Sequence, residues 1–174
     1  MKKLVLGSLA LVCTISLTSS ALAASSSKIS TSQTITNKSI YEKKLIELQE
    51  KKAEYKKQVD SKVSKDNITI QGKLGYLVKL ALEVIEAAIK YGGDEVAHIL
   101  KWLDADTAKV FKENSSKIAK AVGKVADKLD ELEEVTQSYI KKELYKALTA
   151  AGISGTYALP IADAIARTVT FLLT

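Results

Sequence analysis

Apolar residues recur at steps of three and four along most of this chain, which is the spacing of one face of an α-helix. The strongest such stretch runs from Leu74 to Tyr91, where only four charged residues interrupt the apolar positions. A second stretch closes the chain, from Leu159 to Leu173, with Asp163 and Arg167 as its only charges. The pattern predicts an all-α protein, a four- or five-helix bundle whose core contains these two apolar helices.

These two helices have the length and apolar content of either core helices or membrane helices. For the first helix, crossing a membrane is disfavoured. Its four charges cost about 10–14 kcal/mol, whereas its eight large aliphatic residues contribute only about 2–5 kcal/mol in favour. The last helix has two charges, so the cost of its charges and the gain from its apolar residues on membrane insertion are closer to equal. We therefore expect burial of the two helices against each other, with membrane insertion as the alternative and, for the last helix, an oligomer interface as a further one. The core or membrane residues are Leu77, Leu80, Leu82, Ile85, Ile89, Ile161, Ile165, Val169, Phe171 and Leu172.

A long amphipathic helix, rich in Lys and Glu, is predicted over residues 39–65. Ser39 and Glu42 form a capping-box pattern at its start. A narrow apolar seam with polar flanks is typical of a surface helix or of one strand of a short coiled coil, so this seam could pair with a partner helix or with a second copy. The seam consists of Tyr41, Leu45, Leu48, Tyr55 and Val59 and is interrupted by Lys52.

The core region, residues 73–174, contains several helix-breaking signals. The glycine pair at 92–93 predicts the end of one helix, and Asp94 can cap the next. A further break or cap is predicted at Asp104, and the long helical pattern that follows is expected to bend near Thr136. The core region is therefore expected to contain several helices joined by short turns.

The last helix is preceded by a turn signal, Gly152-Ile-Ser-Gly-Thr156. Pro160 is expected in the first turn of this helix, where its missing N–H has no intrahelical partner to lose.

Residues 1–23 have the three parts of a secretory signal peptide: two lysines, an apolar run and a small-residue cleavage site. The run has about 14 residues, fewer than the roughly 20 that span a bilayer. We expect cleavage after Ala23 and a secreted, extracellular protein that can associate with the cell surface. Residues 24–38, rich in Ser and Thr, are predicted to form a flexible linker. The only cysteine, Cys13, lies in the removed segment, so no disulfide is expected.

Positive charge is concentrated in the N-terminal third of the exported chain. Residues 24–73 contain 11 Lys against 6 acidic residues, whereas residues 74–174 contain 13 basic against 14 acidic residues. Such an arm could contact an anionic membrane or cell-envelope surface. The glutamates between its lysines also fit an ordinary solvated helix. Because export is expected, nucleic acid is not expected as a partner.

Candidate catalytic and metal-binding residues are few. The single histidine, His98, has Asp94 one turn before it and Trp102 one turn after it, but no activated nucleophile nearby in sequence. Asp104-Ala-Asp106 lacks the glycine and the closing glutamate of a calcium loop. The acidic run at 127–134 is typical of a solvated face. We therefore expect neither enzymatic activity nor a cofactor or metal.

Lysine-bearing amphipathic helices followed by an apolar terminal helix are similar in composition and hydropathy to secreted helical bacteriocins and pore-forming toxins. The resemblance includes no specific motif and assigns no residue roles. It implies a non-enzymatic, antibacterial or toxin-like action at a cell surface or membrane. The alternative is a soluble, exported interaction or structural module that self-associates or binds a helical protein.

Overall fold

The computed structural model describes residues 24–62, 74–129, 132 and 135–174, with the side chains of the first helix described over residues 38–58. These residues form seven α-helices and no strand, so the prediction of an all-α protein is confirmed. The predicted signal peptide lies outside the described residues. The helices are α1 Ala24–Lys62, α2 Leu74–Tyr91, α3 Asp94–Leu100, α4 Ala105–Glu113, α5 Ser115–Leu129, α6 Gln137–Ala150 and α7 Gly155–Leu173.

In the part of the chain that the structure describes, the first helix covers Ala24–Lys62, so Ser39, where the sequence predicted its start, lies inside it. It includes residues 24–38, for which the sequence predicted a flexible linker. This segment contains neither Gly nor Pro, and Ser or Thr costs at most about 0.7 kcal/mol per residue in a helix relative to Ala. No residue type in the segment therefore stops the helix.

The seven helices exceed the four or five that the sequence predicts, because two long patterns are each divided. The first division lies between α3 and α4. Asp104 is the N-cap of α4, and its Oδ1 accepts a 2.8 Å hydrogen bond from the backbone N–H of Thr107. The second division lies between α5 and α6. Thr136 is the N-cap of α6, and its Oγ1 accepts a 3.2 Å hydrogen bond from the backbone N–H of Tyr139. The predicted cap at Asp104 is confirmed. Near Thr136 the sequence predicted a bend within one helix, whereas the structure has two separate helices, α5 and α6.

Glycines in the left-handed region end two of the helices. Gly92, with φ of 84°, follows α2, and Gly152, with φ of 86°, follows α6. Such a conformation is strained for residues with a Cβ, which explains both glycines. The N-cap of α3 is Gly93, in an extended conformation, so the prediction of Asp94 as the cap was wrong. Asp94 is the first residue of α3, where its charge still favours the helix dipole.

The last helix is longer than predicted at its start. The backbone N–H groups of Tyr157 and Ala158 donate to the carbonyl of Ser154, so α7 begins at Gly155. Pro160 therefore lies inside the helix, and the prediction that it occupies the first turn was wrong. The bond that Pro160 cannot make lies near the helix start, so the rest of the helix continues unbroken.

The second helix lies at the centre of the fold and contacts α1, α3, α5 and α7. Eleven of its 18 residues are buried. Its charged residues lie on one line, as the sequence predicted, and Glu86 pairs with Lys90 at 2.5 Å. Glu83 pairs with Lys44 of α1, also at 2.5 Å, so this line forms part of the contact between the two helices.

Among the described residues, α7 alone is long and apolar enough to cross a membrane by length and composition. In the structure it also contributes to the core. It packs on α6 and α2, and Ile161, Ile165 and Val169 are buried.

Candidate functional site

An exposed cluster of aromatic and cationic side chains lies where α7 meets the end of α3. His98 belongs to α3, and Lys101 and Trp102 follow directly after that helix; Arg167 and Phe171 belong to α7. Trp102 follows His98 by four residues, and Phe171 follows Arg167 by four, so each pair occupies one side of its own chain segment. We call these five residues the aromatic patch.

Contacts between rings join the two parts of the patch. The rings of His98 and Phe171 stack, with centroids 4.3 Å apart and an interplanar angle of 17°. Trp102 meets His98 edge to face, with centroids 6.5 Å apart. The Cζ atom of Arg167 lies 5.0 Å and the Nζ atom of Lys101 5.5 Å from the centroid of the Trp102 ring. Both cations are within cation–π distance of the indole.

The patch places two large aromatic side chains in solvent. Phe171 is 59% exposed and Trp102 is 47% exposed. An isolated exposed apolar residue needs no explanation, but two exposed rings that both contact His98 and are flanked by cations are typical of a surface that meets a partner or a membrane interface.

Of the two cations of the patch, Arg167 is paired with a carboxylate and Lys101 is not paired with any described residue. Arg167 Nε lies 2.6 Å from Oδ2 of Asp163, and Lys141 Nζ of α6 lies 2.7 Å from Oδ1 of the same carboxylate. These two hydrogen bonds hold the pKa of Asp163 below its ordinary value. Lys101 forms no ion pair with any residue that the structure describes, so its charge is available to an external anion.

A groove of about 370 Å³ beside the patch is lined by Asp94, Glu95, His98, Lys101 and Phe171. Glu95 is buried and accepts a 2.8 Å hydrogen bond from the hydroxyl of Tyr41. His98 is held by its stack on Phe171. In the described part of the chain, no three His, Cys, Asp or Glu side chains are grouped so that they could hold a metal ion. The groove presents rings and charges, and its lining contains no Ser, Thr or Cys nucleophile.

The residues predicted for the core or for a membrane are divided by the structure. Eight of them are buried, five in α2 and three in α7, at 8% exposure or less. Leu172 is half-buried, and Phe171 is exposed and belongs to the aromatic patch. The buried ones are Leu77, Leu80, Leu82, Ile85, Ile89, Ile161, Ile165 and Val169.

The predicted interaction seam of α1 lies against the rest of the chain. Leu48 is 1% exposed, and Tyr41 and Leu45 pack on the core. Tyr55 is half-buried beside a groove of about 550 Å³ between α1, α2 and the C-terminus. The side chain of Val59 lies outside the described residues.

The sequence alone does not indicate that these five residues form one surface patch. No sequence pattern singles out Lys101 or Arg167 as a site residue, and Trp102 stands out only as a neighbour of His98. One signal was present: Phe171 lies four residues after Arg167 and eight after Asp163, on the charged side of α7. That spacing indicates an exposed position. No sequence signal shows that α7 meets α3.

Sequence reasoning also did not single out a row of lysines on α5, at positions 117, 120, 124 and 128. Their steps of three and four residues are visible in the sequence and place them on one helix face.

Comparison with known proteins identifies a family. A family model described as "Uncharacterised protein YqxI" matches residues 70–172, and the chain belongs to this family. No curated protein and no solved structure matches the chain.

Proposed function

We propose that this member of the YqxI family is an exported, non-enzymatic helical bundle that binds the surface of an anionic membrane through the aromatic patch. The observation that carries the proposal is the exposure of Phe171 and Trp102 beside Lys101 and Arg167. Aromatic side chains favour the interface between water and lipid, and Lys and Arg are attracted to anionic headgroups. The patch combines both chemistries.

Export is supported by the signal-peptide pattern of residues 1–23 and by the absence of cysteine from the sequence after Cys13. A chain without disulfides depends on its apolar core for stability outside the cell. The excess of lysine in residues 24–73 adds a long-range attraction to an anionic surface.

Binding through the patch leaves the core in place. The buried leucines and isoleucines of α2 and α7 would have to leave the protein interior before either helix could enter a bilayer. Phe171 and Trp102 are already in solvent and can enter the interface without unfolding. We therefore propose attachment first, with the helices still packed.

A toxin-like or antibacterial effect is proposed as a second stage, in which α7 moves from the core into the bilayer. Its C-terminal end is held by the Phe171–His98 stack and by a 2.6 Å hydrogen bond from Lys52 Nζ to the carbonyl of Leu172. If lipid takes the place of His98 against Phe171, attachment removes one of these two contacts. Release of dye from vesicles measures this stage separately from attachment.

The first experiment uses Trp102, the only tryptophan of the chain, as the reporter. The chain from Ala24 to Thr174 is titrated with vesicles of phosphatidylglycerol and phosphatidylcholine, or of phosphatidylcholine alone. We expect a blue shift of the fluorescence with the anionic vesicles, decreasing as salt is added. Phe171→Ser and Lys101→Gln should weaken the binding.

Leu159→Ser is the matched control, because Leu159 is 49% exposed on the same helix but outside the patch. Circular dichroism confirms that each variant is folded. The absence of a shift with either type of vesicle would contradict the proposal, and so would equal weakening by Leu159→Ser and Phe171→Ser. A sedimentation mass that rises with protein concentration, together with intact vesicles, would favour the soluble interaction module.

A further inference from the structure

A groove between α5 and α6 is lined by five lysines and by no acidic residue. The four lysines of α5 follow one another at steps of three, four and four residues and therefore share one face. At 1.5 Å per residue they extend over about 16 Å. The groove has a volume of about 440 Å³ and is lined by Lys117, Lys120, Lys124, Lys128, Lys146, Ala121, Val125, Ala147, Ala150 and Ala151. We call it the lysine groove.

The opposite face of α5 fixes the direction in which these lysines point. Ile118, Val122 and Leu129 are buried, and α5 contacts α2 and α6. The lysines of the row are consequently exposed. The alanines on both helices let a ligand come close to the floor of the groove, because their side chains end at Cβ.

Only one end of the groove is neutralised by the protein itself. Glu143 of α6 lies 2.6 Å from Lys146 Nζ and 3.8 Å from Lys128 Nζ. The hydrogen bond from Lys146 lowers the pKa of Glu143, so this carboxylate is ionised at neutral pH. Lys117, Lys120 and Lys124 form no ion pair with any residue that the structure describes. Like charges at helical spacing repel one another, and an anion bound along the row would relieve that repulsion.

We infer that the lysine groove binds a linear, phosphate-bearing polymer, such as a polyphosphate or phosphodiester chain without bases. This site lies on different helices from the aromatic patch and goes beyond the proposed membrane attachment. Lysine provides compact, rotatable positive charges that contact phosphates without fixed geometry. A row of them fits a repeating anion better than a single one.

The lining residues favour this ligand over the other classes of partner. Bases of nucleic acid stack on aromatic side chains, and the lining contains none. A membrane surface cannot enter a concave groove, and the lining offers no exposed large apolar side chain for insertion. Apart from its lysines, the lining consists of four alanines and a valine, so it offers no deep apolar pocket for the anchor side chains of a partner helix.

The test measures binding of inorganic polyphosphate to the chain from Ala24 to Thr174 by isothermal titration calorimetry. We expect long-chain polyphosphate to bind and its affinity to fall as salt rises. Lys120→Gln with Lys124→Gln should weaken the binding by about tenfold or more and reduce the salt slope by about two, because each lysine contact to phosphate contributes about one to that slope.

Two further variants separate this site from a general effect of charge. Lys109→Gln with Lys112→Gln removes the same charge from exposed positions on α4 and should leave polyphosphate affinity within about twofold of wild type. Glu143→Gln removes the carboxylate at the end of the groove and should strengthen the binding. Equal losses in the α4 and α5 variants would overturn the inference.

A second comparison uses tripolyphosphate, which is too short to contact the whole row. Binding of tripolyphosphate as tight as that of the long chain would overturn the inference, since it would indicate a single anion position. The α5 double variant should retain the Trp102 shift with anionic vesicles. Loss of polymer binding with unchanged vesicle binding therefore separates the lysine groove from the proposed membrane attachment.

Discussion

The hydroxyl of Tyr41 donates a 2.8 Å hydrogen bond to Oε2 of Glu95, and this bond connects α1 to α3. Glu95 is the only charged side chain that is buried among the described residues. A buried carboxylate requires a hydrogen-bond donor, and Tyr41 provides one. A residue of the predicted interaction seam thus has its polar partner inside the same chain.

Tyr41→Phe is expected to lower the free energy of unfolding at neutral pH by about 1–3 kcal/mol, because it leaves the Glu95 carboxylate buried without this donor. Urea denaturation followed by circular dichroism measures the change. Tyr139→Phe is the control, since Tyr139 is exposed.

The same bond predicts a dependence on alkaline pH. Burial, followed by the hydrogen bond to Glu95, raises the pKa of the Tyr41 hydroxyl above its ordinary value of 10.0. The stability from this protonated hydroxyl is complete below about pH 10 and is lost as the pH rises toward the folded-state pKa, because the unfolded chain ionises first. Above about pH 10, the wild type should therefore lose stability more steeply than Tyr41→Phe. Parallel curves for the two proteins would contradict this assignment.

Leu48 tests whether α1 is part of the folded core or a free arm. It is 1% exposed, so Leu48→Ala should cost about 2–5 kcal/mol in unfolding free energy. Ile46→Ala, at a position on the same helix that is 55% exposed, should change stability by less than about 0.5 kcal/mol. Equal small effects at both positions in a denaturation experiment would indicate that α1 does not pack on α2.

Two glycines in close helix contacts should respond in different ways to alanine. A Cβ at Gly75 would lie 2.1 Å from the backbone oxygen of Leu132, and a backbone cannot move aside cheaply. Gly75→Ala should therefore lower the unfolding free energy by about 1–3 kcal/mol. The three atoms nearest to a Cβ at Gly123 all belong to the flexible carboxylate end of Glu86, the nearest at 2.8 Å.

For Gly123→Ala we expect little net change, because alanine also gains about 1 kcal/mol of helix propensity over glycine. Thermal or urea denaturation of both variants measures the contrast. A loss at Gly123 as large as that at Gly75 would show that Glu86 cannot move.

Asp163 connects α6 to the aromatic patch. The effect of its replacement on stability should depend on pH in the acid range. The hydrogen bonds from Lys141 and Arg167 lower the pKa of Asp163, so its contribution is present above the unfolded value of about 3.9 and lost as the pH falls through the folded pKa. Asp163→Asn should cost about 1 kcal/mol or less at neutral pH. The difference from wild type should begin to shrink near pH 4 and disappear once the pH is below the folded-state pKa.

Asp127→Asn is the control for this measurement, because Asp127 is exposed and forms no ion pair with any described residue. A difference between wild type and Asp163→Asn that persists unchanged in acid would show that the carboxylate charge is not the cause.

Local signals in the sequence determined the helices and several of their ends. The spacing of apolar residues predicted the helical class and the buried side of α2, since a helix repeats every 3.6 residues whatever surrounds it. Asp104, Thr136 and the glycines after α2 and α6 act on neighbouring backbone groups, so their effects can be read locally. Asp94 and Pro160 were exceptions: Gly93 is the N-cap of α3, and backbone hydrogen bonds to Ser154 start α7 earlier than predicted.

Only the tertiary structure decided which surfaces exist. His98 and Phe171 stack although they are far apart in the sequence, and the α5 lysines meet Lys146 only because α6 packs alongside. Apolar periodicity predicts that a helix has an inner side, but it does not determine which helix covers that side. That choice depends on packing between distant segments, which also leaves Phe171 and Trp102 in solvent.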